Sequence, residues 1–299
     1  MDKWSAECFF PASHRLGEGP LWREEDQTLF WVDILDHKLH SVSVEDGNPA
    51  EWVFPQGISS LCLSDFGNFI ATSADGFLIL NSTMSITRVI GPVEQDPVNY
   101  RFNDAKVDPR GRLWAGTMHR DLAEPGGALF RLDADLSWSR QDAGYFVCNG
   151  PTFSLDGKSL FHTDSKRQAI YRFDLAENGS IANKRLFARL GEEEGNPDGM
   201  TTDSEGCIWV ASYHGWRVTR FSPDGDRIGR VEVPVPNVTS CAFGGPDYRT
   251  LYITTARSGL RSEQIREYPM SGSVFHVETG IRGLAPDRFR LGGRDRLLK

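Results

Sequence analysis

Cysteine is scarce in this chain of 299 residues. The five present (Cys8, Cys62, Cys148, Cys207 and Cys241) are odd in number, scattered and never spaced as CxxC. That pattern argues against a disulfide framework and against a zinc–thiolate cluster. No basic tract stands out against a formal charge of −8, so neither nucleic acid nor an anionic membrane is an expected partner. No apolar run approaches the length that crosses a bilayer, and the opening MDKWSAECFF has neither the basic nor the apolar segment of a secretion signal. Together these absences lead to the expectation of a reduced, cytoplasmic protein. Also missing are a GxSxG elbow, a GxxxxGK[ST] loop and an HExxH pair, which leaves Ser-His-Asp, phosphate-loop and zinc-helix chemistry without support. Long helical periodicity is absent throughout.

What the chain has instead is punctuation and aromatic residues. Thirty glycines, sixteen prolines, eight tryptophans and eighteen phenylalanines point to many turns between aromatic-rich strands, an all-β composition. Six stretches resemble one another: EGPLWREEDQTLFWVD from Glu18, SSLCLSDFGNFIATS from Ser59, NDAKVDPRGRLWAGT from Asn103, NGPTFSLDGKSLFHTD from Asn149, DGMTTDSEGCIWVAS from Asp198 and TSCAFGGPDYRTLYITT from Thr239. Each is a short alternating strand, a turn holding Gly or Asp, and an apolar strand. Their starts lie 41, 44, 46, 49 and 41 residues apart, the repeat length of a four-stranded propeller blade. One such sheet cannot cover its own faces, whereas blades stacked radially bury them. The expected fold is therefore an all-β, six-bladed β-propeller with a central metal site. It forms a single domain over residues 1–299, closed by a strand from residues 1–14, with a loosely ordered tail at 282–299.

The alignment places Glu18, Ser59, Asn103, Asn149, Asp198 and Thr239 at one blade position, and all six are polar. Innermost strands line the central channel, so these side chains should converge on the axis. A solvated channel needs only small polar groups such as Ser or Thr. Two carboxylates ask for more, because buried charge is paired or coordinates a metal. Glu18, Asn149 and Asp198 offer three oxygen donors and a formal charge of −2, a receptor suited to one divalent cation. Oxygen donors favour Ca²⁺, Mg²⁺ or Mn²⁺, with Zn²⁺ or Fe²⁺ also admissible. Each of the three precedes a glycine, which permits close backbone approach beside the site.

Several segments, among them LGEGPLW, YRFNDAKVDPRGRLWAGTM, NGPTFSLDGKSLF, NPDGMTTDSEGCIWVA and NVTSCAFGGPDYRTLYITTA, resemble the SMP-30/gluconolactonase family over roughly residues 14–277. The resemblance implies a six-bladed propeller that hydrolyses aldonolactones with one divalent metal at the axis. It implies metal ligation by Glu18, Asn149 and Asp198, and substrate contact by Arg101 and Asn103. A family glutamate that holds sugar hydroxyls falls at Asp121 here, a shorter acid whose role the change leaves open. The C-terminal TTARSGLRSEQIREYPMSGSVF and GTMH at 116–119 are similar to bacterial pentonolactonases.

A small-molecule sugar lactone is thus the expected partner, with Asp198 as general base beside the attacking water and Arg101 donating to developing negative charge. Asp104 is read as a turn cap or as support for the metal site. Asp121 lies in a loop, where an acid is ordinarily just solvated. His162, in an apolar strand, is expected as a core or edge residue, and His119 and His214 are candidates for rim contacts. A non-catalytic calcium-binding or partner-binding propeller is the competing class, and an arylesterase or organophosphate hydrolase on the same scaffold a third. Which lactone, which metal and which oligomeric state are not readable from the residues.

Overall fold

The computed structural model describes residues 1–93, 96 and 98–292. Its strands form six separate sheets. Their first strands are Gly17–Arg23, Ser60–Leu63, Tyr100–Val107, Cys148–Phe153, Asn196–Thr202 and Val238–Gly244. Each touches the first strand of the next sheet, and the sixth touches the first, so a ring closes about a common axis. Apart from the two N-terminal strands, the strands of a sheet run antiparallel, stepping outward in chain order. The protein is a six-bladed β-propeller, and each sequence repeat is one blade.

Burial follows from radial position. Second strands such as Leu113–His119 (LWAGTMH) and Ile208–Tyr213 (IWVASY) are buried along nearly their whole length. Both of their faces meet neighbouring blades, hence the near-continuous apolar runs. Outermost strands such as Ile86–Ile90 are largely exposed. An apolar cluster fills each gap between blades. Between blades 1 and 2 it joins Phe30 and Val32 to Leu61 and Phe69, and between blades 6 and 1 it joins Tyr252 and Val274 to Trp22 and Trp31. At about 2 kcal/mol for each large side chain removed from water, these wedges are the main cohesion of the ring.

The N-terminus locks the ring in two places. Glu7–Phe10 pairs antiparallel with Val274–Glu278 as the outermost strand of blade 6. Just before it, Asp2–Ser5 pairs parallel with Arg227–Glu232 and adds a fifth strand to blade 5. The expected closing strand is therefore present, with a second one that sequence reading did not anticipate.

The expectation of a loose tail does not hold for residues 282–292. The Gly283 N–H donates to Tyr248 O, Phe289 N–H to Leu63 O and Arg290 N–H to Gly111 O, while Phe289 and Leu291 are buried between blades 2 and 3. Two apolar residues in a polar segment suffice to dock it. Residues 293–299, the rest of that predicted tail, lie outside the described residues.

Two repeats carry the same corner. In DPRGRLW and DSEGCIW, the first Asp accepts backbone N–H groups of its own turn and the indole of the Trp six residues on. Asp108 takes Trp114 Nε1 at 2.9 Å and Arg112 Nε at 2.6 Å. Asp203 takes Trp209 Nε1 at 2.8 Å and Arg220 Nε at 2.9 Å. Both carboxylates are fully buried. Replacing Asp203 by Ala strands a buried indole and half-strands a buried guanidinium, a loss of about 3 kcal/mol. Thermal unfolding of Asp203→Ala should show a Tm several degrees below wild type, and an unchanged Tm would contradict this account of the corner.

Candidate metal centre and substrate cleft

The positions that sequence alignment equates are also equivalent in backbone geometry. The register between first and second strands slips between Glu18 and Leu21, Phe102 and Ala105, Asn149 and Thr152, Pro197 and Met200, and Val238 and Ser240. Each slip is a β-bulge, which frees residues from the ladder and re-aims side chains. Blade 2 pairs without a slip, and its equivalent residue, Ser59, carries no charge. Gly19 and Gly150 take φ of +53° and +72°, a conformation that favours glycine. Gly199 is extended but crowded: a Cβ there would run into the side chain of Ser240 on the next blade.

Neighbouring bulges are stitched together. The Asn103 amide donates to Asn149 Oδ1 and to Cys148 O (3.2 Å), joining blades 3 and 4. Thr239 Oγ1 donates to Gly17 O at 2.6 Å, joining blades 6 and 1. Arg101 Nη1 donates to Asn103 Oδ1 at 2.7 Å and to Phe102 O at 2.9 Å. Glu18, Asn103, Asn149 and Asp198 are all buried, and Arg101 and Asp104 are half-buried.

Electrostatics mark this as a place where charge is held against its preference. The Glu18 carboxyl is pushed up to about 8 by burial and then by the Asp104 charge, with Gly19 N–H and Arg101 pulling the other way. Burial, followed by Glu18 and Asp104, drives Asp198 well above the carboxylate range. Asp104 is raised to about 7 by burial, against Lys106. Arg101 is lowered to about 10 by burial and by Arg120, with Glu18 and Asp198 opposing, and so stays protonated at neutral pH. Glu18, Asp198, Asp104 and Arg101 thus occupy one another's fields, as expected of groups meeting at one axis.

A divalent cation suits these residues. Asp198 Oδ1 is buried without a hydrogen-bond partner. Among the described residues the Glu18 carboxylate accepts only the N–H of its own neighbour Gly19, at 2.9 Å. Both therefore keep lone pairs that nothing in the protein satisfies, and a hard cation is the group that oxygen donors of this kind take. Among the described residues no three His, Cys, Asp or Glu side chains form a metal-binding cluster; the third donor of this trio is a carboxamide, that of Asn149.

Other expected residues fall differently. Asp104 caps no turn: it sits in the bulge of an innermost strand, accepting the Ala105 N–H at 2.8 Å. Asp121 is exposed in the turn after Leu113–His119, where its backbone N–H donates to His119 Nδ1 at 3.1 Å. Its carboxylate makes no hydrogen bond or ion pair to Arg101 or Asn103 among the described residues. His162 is fully buried. It meets Cys148 Sγ at 2.6 Å, but burial pushes the thiol up and holds His162 near 3. Both groups are neutral, which removes the thiolate that nucleophilic catalysis needs.

Tyr213 opens the run YHGW, and its phenol is raised to about 12 by burial and by the nearby Asp198 charge. It donates to Ser258 O and ties the 257–268 loop to the cleft. A cavity of about 340 Å³ lies between the inner strands and the tail, lined by Asp104, Lys106 and Asp287 among others. No helix of the described residues is long and apolar enough to cross a membrane, and all five cysteines are free thiols.

Comparison with known proteins gives the same picture. The profile of the SMP-30/gluconolactonase/LRE-like region matches residues 16–257. Regucalcin of Gallus gallus is 36% identical over 297 residues, covering 97% of this chain and 99% of that protein. The 6-deoxy-6-sulfogluconolactonase of Pseudomonas putida is 35% identical over 284 residues, covering 95% and 98%. Among solved structures, the calcium-binding regucalcin of Agrobacterium tumefaciens superposes with a TM-score of 0.92 at 28% identity, covering 97% of this chain and 99% of its own.

The raised carboxyls have a measurable consequence. A carboxyl whose folded pKa exceeds its unfolded value stabilises the fold below the unfolded value, and that stabilisation is lost as pH rises through the folded one. With Glu18 near 8 and Asp104 near 7, the chelated protein should lose Tm progressively between about pH 4.5 and pH 8. Divalent cation should restore it at the alkaline end by binding the ionised form. Glu18→Gln should flatten the pH slope in chelator; an identical slope in variant and wild type would show that Glu18 is not the group responsible.

Proposed function

Since the chain belongs to the SMP-30/gluconolactonase family, we propose that it hydrolyses a sugar lactone, of a pentonic or hexonic acid, to the open-chain aldonate. The proposed cofactor is one divalent cation held by Glu18, Asn149 and Asp198. The observation that carries this reading is the burial of the Glu18 and Asp198 carboxylates on innermost strands, with Arg101 near enough to feel both charges. A platform for protein partners has no use for such an expensive arrangement.

Lactone opening requires a polarised carbonyl, an attacking water and relief of charge on the tetrahedral oxygen. When bound, the cation supplies Lewis acidity and lowers the pKa of coordinated water. The chain supplies the rest. Asp198, with one oxygen free of hydrogen bonds, accepts the proton of the attacking water. Arg101 commits Nη1 to Phe102 O and Asn103 Oδ1, and its other N–H groups donate to the carbonyl or a ring hydroxyl as negative charge grows. Asn103 steadies the arrangement. Asp121, out on the rim, is the candidate partner of a distal hydroxyl, where a side chain affects binding more than chemistry.

The name of the Pseudomonas putida relative supports a lactone substrate, and hard oxygen donors favour Ca²⁺, Mg²⁺ or Mn²⁺ over Zn²⁺ or Fe²⁺. A second reading, a calcium-binding propeller without catalysis, draws on the description of the Agrobacterium tumefaciens structure as a calcium-binding protein. Arg101 and Asn103 speak against it, because calcium storage has no use for a guanidinium beside the carboxylates.

A panel of pentono- and hexonolactones, assayed by acid release with each divalent cation and with chelator, tests the reading. At least one lactone should be turned over with cation and none with chelator. Aryl esters should be poorer substrates, and hydrolysis of no lactone under any cation would favour the calcium-binding reading. Asp198→Asn should lower kcat by at least about 10²-fold, the scale of a lost general base. Asp121→Ala should instead raise KM a few-fold with kcat preserved; a kcat loss as deep as that of Asp198→Asn would place Asp121 at the reacting atoms.

A further inference from the structure

Arg101, Asn103, Asn149 and Ser165 form a single hydrogen-bonded line across blades 3 and 4. Arg101 Nη1 donates to Asn103 Oδ1 at 2.7 Å, Asn103 Nδ2 donates to Asn149 Oδ1, and Asn149 Nδ2 donates to Ser165 Oγ at 2.9 Å. A guanidinium has donors only. Asn103 must therefore turn its oxygen to Arg101 and its amine inward, where Asn149 Oδ1 and Cys148 O take both N–H groups. Asn149 must in turn offer its oxygen to that amine, which leaves its own amine for Ser165. The polarity of the whole line follows from the one charged residue at its mouth.

Ser165 is built to anchor the far end. It opens the short 3-10 turn Ser165–Arg167 after strand Ser159–Asp164 and is itself buried. Its N–H donates to Val147 O at 3.2 Å, and its carbonyl accepts the Gln168 N–H at 2.9 Å. The backbone on both sides is thus pinned, and the hydroxyl sits where the Asn149 amine arrives.

We propose that Ser165 is a positioning residue for the axial cation: with Asn103 it clamps the Asn149 carboxamide so that its oxygen, and not its amine, is presented at the axis. A carbonyl oxygen has two lone pairs. One receives Asn103, and the other is left for a cation. An inverted Asn149 would set its amine against both the Asn103 amine and the cation, so the line excludes the inverted rotamer. Asn103 serves here through Asn149, a role additional to any contact it makes with substrate. The inference rests on the reading of Glu18, Asn149 and Asp198 as the cation site.

The test is cation binding by the full chain, measured by calorimetry with Ca²⁺ and Mn²⁺, for wild type, Ser165→Ala and Ser165→Thr. Ser165→Ala should bind ten- to a hundredfold more weakly, the usual cost of losing a hydrogen-bond partner behind a ligand. Its Tm in chelator should fall less than that of Asp203→Ala, because a single buried amine loses its partner, and Ser165→Thr, which keeps the hydroxyl, should recover most of the affinity. In the lactonase assay Ser165→Ala should need more cation for half-activation yet approach wild-type kcat at saturation. Wild-type affinity in Ser165→Ala, or a kcat loss that saturating cation leaves in place, would overturn the positioning role. Should Ser165→Ala fail to fold, affinity in Ser165→Thr decides: near wild type it supports the hydroxyl, and tenfold or more weaker in a stable protein it overturns it. No cation binding by wild type would instead remove the cation site itself.

Discussion

Glu18 and Asp198 are both buried on inner strands, where neither can ionise without raising the cost for the other. Desolvation of a carboxylate costs several kcal/mol, and the backbone donors beside each one, Gly19 and Gly199, offset only part of it. Such a pair persists only where the surrounding fold holds it in place. Each acid sits on an innermost strand between two neighbouring blades and keeps only a small part of its surface exposed. The ring is what makes the cleft possible, and the cleft is where the ring spends stability.

The means of delivery is local. An ordinary antiparallel ladder would alternate side chains up and down the blade faces, toward neighbouring blades. The bulge at the same place in five blades interrupts that alternation, and it is there that the polar residue of each repeat sits. Gly199 shows how tight the assembly is, since Ser240 of the next blade occupies the space of its missing side chain. The glycines after Glu18, Asn149 and Asp198 thus relate to chain geometry first and to chemistry through it.

Much of this was legible in the residues. Glu18, Asn149 and Asp198 could be assigned to equivalent places on innermost strands without coordinates, because a repeat converts sequence register into blade register. Ser165 could not. It faces Asn149 across a hairpin, in a turn that the repeats do not share, and nothing in the run TDSKRQ distinguishes its hydroxyl from any other. Of the two readings of Asp104, the turn cap fails because a bulge looks like a turn when only residue types are visible. The tail was misread for the opposite reason: Phe289 and Leu291 are isolated apolar residues in a polar stretch, and their slot is built by blades 2 and 3, far away in the chain.

The N-terminal strands, placed on blades 5 and 6, set the order of assembly. Residues 2–10 are made before every blade, yet their pairing partners, Arg227–Glu232 and Val274–Glu278, belong to the last two blades. Through most of synthesis the nascent chain carries two strands with exposed edges and nothing to pair with, the kind of surface that invites intermolecular association. Their brevity, four residues each, and the charged residues among them limit that exposure until the circle can be completed.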